Sequence, residues 1–86
     1  MFIHLGADVT ISAKKVIAML DARRAKTGAT LEFLTYMEEQ GKLIRIEDKE
    51  VKSYVITDDC VYISPISATT LKKRAASVDT SNLFMP

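Results

Sequence analysis

Apolar positions in this chain come mostly in short runs broken by polar turns, and only two stretches carry a helical period. Phe2-Ile3-His4-Leu5 and Val9-Thr10-Ile11 are β-compatible, and Gly6 with Asp8 between them supplies a turn, so the first twelve residues read as two paired strands. Ser12 is placed to cap a short helical turn through Lys15. From Ala13 to Lys26 two readings stand side by side. Ala13, Val16, Ile17, Leu20 and Arg24 fall at helical spacing, while Val16 to Leu20 is equally a five-residue run of a strand buried on both faces. Asp21 to Gly28 reads as a polar, basic connection.

The stretch from Ala29 to Gln40 predicts a helix. Leu31, Leu34 and Met37, with Phe33 beside them, share one broad face, and Gly41 stands where a left-handed residue closes a helix. Leu43 to Ile46 is a strand candidate, and Glu47 to Val51 a charged loop. Tyr54 to Thr57 and Cys60 to Ser64, joined by Asp58-Asp59, give the strongest hairpin signal, which Pro65 ends. Ser67 is placed to cap a last helix, with Ile66 and Leu71 set for a hydrophobic staple. Lys72, Lys73 and Arg74 then fall toward that helix's C-terminus, where the macrodipole favours cations. Residues 77–86 read as a flexible C-terminal tail. The pattern predicts a single small α+β domain over residues 1–76, with about five short, mostly antiparallel strands and two helices.

Composition narrows the function. Eighty-six residues allow one domain with a small core, so neighbouring subunits are a natural source of further burial. The single cysteine, Cys60, forms no intrachain disulfide and points to a reducing, cytoplasmic setting. The longest apolar run, Val16 to Leu20, is far short of the roughly 20 residues of a bilayer span. The sequence therefore predicts no membrane partner, no cofactor and no small-molecule substrate.

Catalytic chemistry finds little support. His4 is the lone imidazole and reads as a half-buried strand residue, Cys60 as a small apolar residue on a pleated face, and Asp58-Asp59 as a polar turn. Twelve Lys and Arg against eleven Asp and Glu leave a formal charge of +1, but the signs are not evenly spread. Acidic residues gather at Glu32, Glu38, Glu39 and the hairpin tip. Basic residues gather after Ser12, at Arg23, Arg24 and Lys26, and at Lys72-Lys73-Arg74. Such clusters suit phosphate contacts, which need charge more than fixed geometry; a solvated loop at 23–26 and a helix end at 72–74 explain them as well. Phe2, Phe33, Tyr36, Tyr54, Tyr62 and Phe84 are scattered, most at positions a core would use, and give no stacking platform for single strands.

Four segments resemble the bacterial extracellular-matrix regulator family, the RemA/RemB group: Phe2 to Asp8, Ile11 to Asp21, Lys52 to Asp59, and Tyr62 to Arg74. The resemblance covers roughly residues 2–76 and is nearest to the RemB-type branch. Its most specific part is the Ser-Pro-x-Ser-x-Thr-Thr-Leu-Lys-Lys-Arg ending, Ser64 to Arg74. It implies a LytTR-like fold, a strand at Val16 to Leu20, and a homo-oligomeric, ring-forming DNA-binding transcription regulator of matrix and biofilm genes. The family's DNA-contacting positions correspond here to Lys15 and Lys52, with Lys49 in the same loop. Where the RemA branch has consecutive arginines, this chain has Lys49 and Glu50. Combined with the charge clusters, the expected DNA-binding set is Lys15, Arg23, Arg24, Lys49, Lys52, Lys72, Lys73 and Arg74. The alternative function is an oligomeric scaffold of the same family without DNA binding.

Overall fold

The computed structural model describes residues 2–83, with side-chain surroundings over residues 2–76. Six strands, two α-helices and two 3-10 turns follow one another: β1 (Phe2–Gly6), β2 (Val9–Ser12), a 3-10 turn (Ala13–Lys15), β3 (Val16–Asp21), a second 3-10 turn (Ala22–Arg24), α1 (Gly28–Glu39), β4 (Leu43–Arg45), β5 (Ser53–Thr57), β6 (Val61–Ser64) and α2 (Ala68–Leu83). The α+β class expected from the pattern is the observed one, and the expected LytTR-like fold is compatible with it.

β1 and β2 form an antiparallel hairpin, and the other strands form a four-stranded sheet in the order β3-β5-β6-β4. The single parallel pair is β4 with β6. Register then sorts the side chains. Val16 and Met19 of β3, Val55 of β5 and Tyr62 of β6 share the face covered by Ile3, Leu5 and Ile11 of the hairpin and Leu71 of α2. The opposite face places Tyr54, Ile56, Val61 and Leu43 against Ala25, Leu34 and Met37, so α1 closes that side. Val16 to Leu20 is thus a strand, with a register irregularity at Ile17 that turns this side chain out to solvent.

Buried hydroxyls tie the layers together. Ser64 Oγ donates to the Leu5 carbonyl at 2.6 Å and accepts the Ile66 N–H at 3.0 Å, while Ser53 Oγ donates to the Ile66 carbonyl at 2.7 Å. Both serines are fully buried, and with their bonds made they avoid the desolvation cost of an unpaired hydroxyl. Gly6 lies over this junction with φ +129°, and a Cβ there would meet the Pro65 ring at 3.1 Å. The β5–β6 turn is closed by Thr57: its Oγ1 accepts the N–H groups of Asp59 and Cys60 and donates to the Cys60 carbonyl. Gly41 takes φ +70° after α1, as its position predicted. Ser67 Oγ caps α2 by accepting the Thr70 N–H at 3.2 Å.

Several expectations need correction. α2 is helical to Leu83, so Lys72, Lys73 and Arg74 lie in its second turn and gain nothing from the C-terminal dipole. The reading of 77–86 as a tail falls outside the residues whose side-chain surroundings are described. His4 is exposed, its Nε2–H donating to the Ala7 carbonyl at 2.6 Å across the β1–β2 turn. Phe2, Phe33 and Tyr36 are exposed too, at 68%, 38% and 57%, and Leu31 stands 43% exposed; only Tyr54 and Tyr62 meet the core, and Phe84 lies outside the described residues.

Candidate nucleic-acid interface

The β3–β5 ladder decides which basic residues meet. Asp21 at the end of β3 stands opposite Ser53, the Ala22 N–H donates to the Lys52 carbonyl at 3.1 Å, and the Lys52 N–H donates to the Ser64 carbonyl at 2.9 Å. Two backbone bonds therefore pin Lys52 beside the 3-10 turn that carries Arg23 and Arg24. Lys49 joins Lys52 on an open concavity that also includes His4, Glu47 and Glu50. Lys72 reaches the same end from α2 and lines a groove with Arg24. Lys15 is at the other end, where Val16 pairs with Thr57. Five strand residues separate the two ends, roughly 17 Å at the usual rise. One subunit thus gathers Arg23, Arg24, Lys49, Lys52 and Lys72 and leaves Lys15 apart.

Pairing divides the eight candidates again. Lys15 Nζ is 3.5 Å from Asp59, and Lys49 Nζ is 3.5 Å from Glu47. Arg23 grips Asp21 with three bonds, Nη2 to Oδ2 being the shortest at 2.7 Å. Arg74 Nη1 donates to the His4 carbonyl at 2.8 Å and so fastens α2 to β1. Among the described residues, Arg24, Lys52, Lys72 and Lys73 have no ion-pair partner. The Lys15–Asp59 pair is exposed on both sides, a kind of pair that contributes about 0–1 kcal/mol, while Asp21 and Glu47 are half-buried beneath the exposed Arg23 and Lys49 side chains.

The Asp21–Arg23 clamp shapes the basic turn. Asp21 also accepts the Arg23 N–H at 2.9 Å, as an N-cap for the 3-10 turn. The side-chain bonds from Arg23, then its backbone N–H, hold the Asp21 carboxyl down at about 2, and the Arg23 guanidinium is raised in return. Because the folded value lies below the ordinary carboxylate value of about 4, the clamp contributes fully above that value and is lost as pH falls through about 2. A carbon-detected NMR titration should place the Asp21 midpoint near 2, and Arg23→Gln should return it toward about 4. A wild-type midpoint near 4 would show that the clamp does not form in solution.

Glu50 sits among these cations. It lines a concavity with Asp21, Arg23 and Lys52, and another with Arg23, Lys26 and Tyr54. The pattern reading missed the capping role of Asp21, although an Asp two residues before Arg23 was a usable signal. It also missed the meeting of Arg24 with Lys72, for which a separation of 48 positions leaves no local signal. Cys60 is buried against Thr57, and the Tyr62 phenol is pushed up chiefly by burial, away from easy ionisation.

The amino-acid sequence matches a family of regulatory proteins. A model of the RemA-like family, extracellular matrix regulatory protein A-like, covers residues 2–75, and the chain belongs to that family. It is similar to extracellular matrix regulatory protein B of Bacillus subtilis (strain 168), with 35% identity over 75 residues, 87% of this chain and 90% of that protein. No helix among the described residues is long and apolar enough to cross a membrane.

Proposed function

We propose that this protein is a homo-oligomeric transcription regulator that binds double-stranded DNA mainly through its phosphate backbone, and that it acts in the cytoplasm as a regulator and not as an enzyme. The observation that carries the reading is the convergence of Arg23, Arg24, Lys49, Lys52 and Lys72 at one end of the sheet, four of these on short connections between elements. Membership in a family named for extracellular-matrix regulation supports the regulatory part.

Self-association has its own support. Phe2, Ile17, Leu31, Phe33, Tyr36 and Ile44 are large apolar side chains left exposed, and β3 and β4 are the sheet's edges. A heterologous contact between such surfaces closes into a ring when its rotation allows, repeating the basic end at fixed spacing. Each subunit then supplies a few weak contacts and the assembly supplies avidity.

Neutralising Lys49 and Lys52 together tests the DNA reading. In a mobility-shift titration at constant salt, Lys49→Gln/Lys52→Gln should weaken duplex retention about tenfold or more, equally on unrelated sequences, while the mass of the assembly stays that of the wild type. Unchanged retention by an intact oligomer would instead favour a scaffold without DNA binding, a reading motivated by Glu50 among the cations.

A further inference from the structure

The groove at the β3 edge, between the start of α1 and the start of α2, has a volume of about 270 Å3. Arg24 enters it from the 3-10 turn and Lys72 from the second turn of α2, and Thr30 and Thr69 add a hydroxyl each from the first turns of the two helices. Leu20 contributes apolar wall. Asp21 is the one carboxylate on the lining, and both its oxygens are occupied by Arg23. Two cations, Arg24 and Lys72, thus line the groove beside one carboxylate that is already paired with Arg23 outside it. Neither helix has an acidic residue in its first turn, and Thr27 at the head of α1 makes no capping bond with its side chain.

We infer that this groove is a phosphate-binding site, in which Arg24 and Lys72 supply the charge and the Thr30 and Thr69 hydroxyls donate to the phosphate oxygens. Size limits the ligand. Pockets for drug-sized molecules run from roughly 300 Å3 upward, so this one seats a phosphate group with little of what it is attached to. Two sources meet that description: a phosphodiester of the DNA backbone, and a small free phosphorylated molecule acting as an effector. The first rests on the proposed DNA binding; the second does not.

Inorganic phosphate separates the site from the DNA reading. In amide NMR spectra of the full chain, phosphate added at constant ionic strength against chloride should shift Arg24, Thr30, Thr69 and Lys72 saturably. Arg24→Gln and Lys72→Gln should each weaken that affinity about tenfold or more, as expected for removing a charge-assisted hydrogen bond. Lys42→Gln, beyond the far end of α1, whose 12 residues span about 18 Å, should not. The replaced side chains are exposed, and unchanged signals from Leu5 and Val55 show that each variant is folded. Shifts that drift linearly without saturating, or saturation undiminished in both groove variants, would overturn the site. Adding a 20-base-pair duplex then identifies the source. Displacement of phosphate assigns the groove to the DNA backbone. Continued phosphate binding with duplex bound elsewhere, or not bound at all, assigns it to a free ligand and leaves the site standing.

Discussion

Leu71→Ala should cost about 2–5 kcal/mol of folding stability, the range for removing a buried leucine from a core that relaxes only in part. Leu71 is fully buried and packs with Ile3, Leu5, Ile11, Met19 and Val55, with Ile66 against the same cluster. Among the described side chains of α2 only Ala68 and Leu71 are buried, and Ala75 alone joins Leu71 against that core, so truncation also loosens the helix that carries Lys72 and Lys73. Domains as small as this have total stabilities near the low end of 5–15 kcal/mol, so the loss is a large fraction of the whole. At about 4–8 °C per kcal/mol, the thermal midpoint should fall by roughly 8–40 °C. Calorimetry at one fixed protein concentration is the check, because self-association would otherwise shift the midpoint by mass action. A midpoint within about 2 °C of wild type would mean that α2 is not held to the hairpin and sheet as described.

How much of this was legible in the chain depends on how local the determinants are. Ser67, Ile66 and Leu71 announced the start of α2, and Asp58-Asp59 between β-branched runs announced the β5–β6 hairpin, because caps and turns are fixed by neighbours in sequence. Val16 to Leu20 was not decidable by period. Val16 and Met19 face the core under the hairpin, while a register irregularity at Ile17 turns that side chain to solvent and breaks the alternation. The exposed faces of Phe2, Phe33 and Tyr36 were unreadable for a different reason: an apolar residue in a strand or helix looks the same whether its own subunit or another surface covers it.

The candidate site divides along the same line. Sequence found the basic clusters one by one. It could not show that Arg24 meets Lys72 across the β3–α2 packing, that Lys15 is held at the far end of the ladder, or that Arg74 is spent on the His4 carbonyl. Pairing also sharpens the meaning of a net charge of +1. Three of the eight expected cations face carboxylates and one binds a carbonyl, which leaves Arg24, Lys52, Lys72 and Lys73 unpaired among the described residues.

That count gives the most direct test of multivalent backbone binding. Each phosphate neutralised on duplex DNA contributes about −0.9 to the slope of log affinity against log salt. A single subunit using its four unpaired cations would therefore give a slope of about −3.6, and about −5.4 if Arg23 and Lys49 join them. Several subunits engaged at once must exceed that, and with six to ten contacts the affinity falls roughly 10³ to 10⁵-fold between 50 and 200 mM salt. The measurement is duplex affinity of the native assembly across that salt range. The account predicts a slope steeper than about −5.4. A shallower slope, or an affinity indifferent to salt, would contradict it.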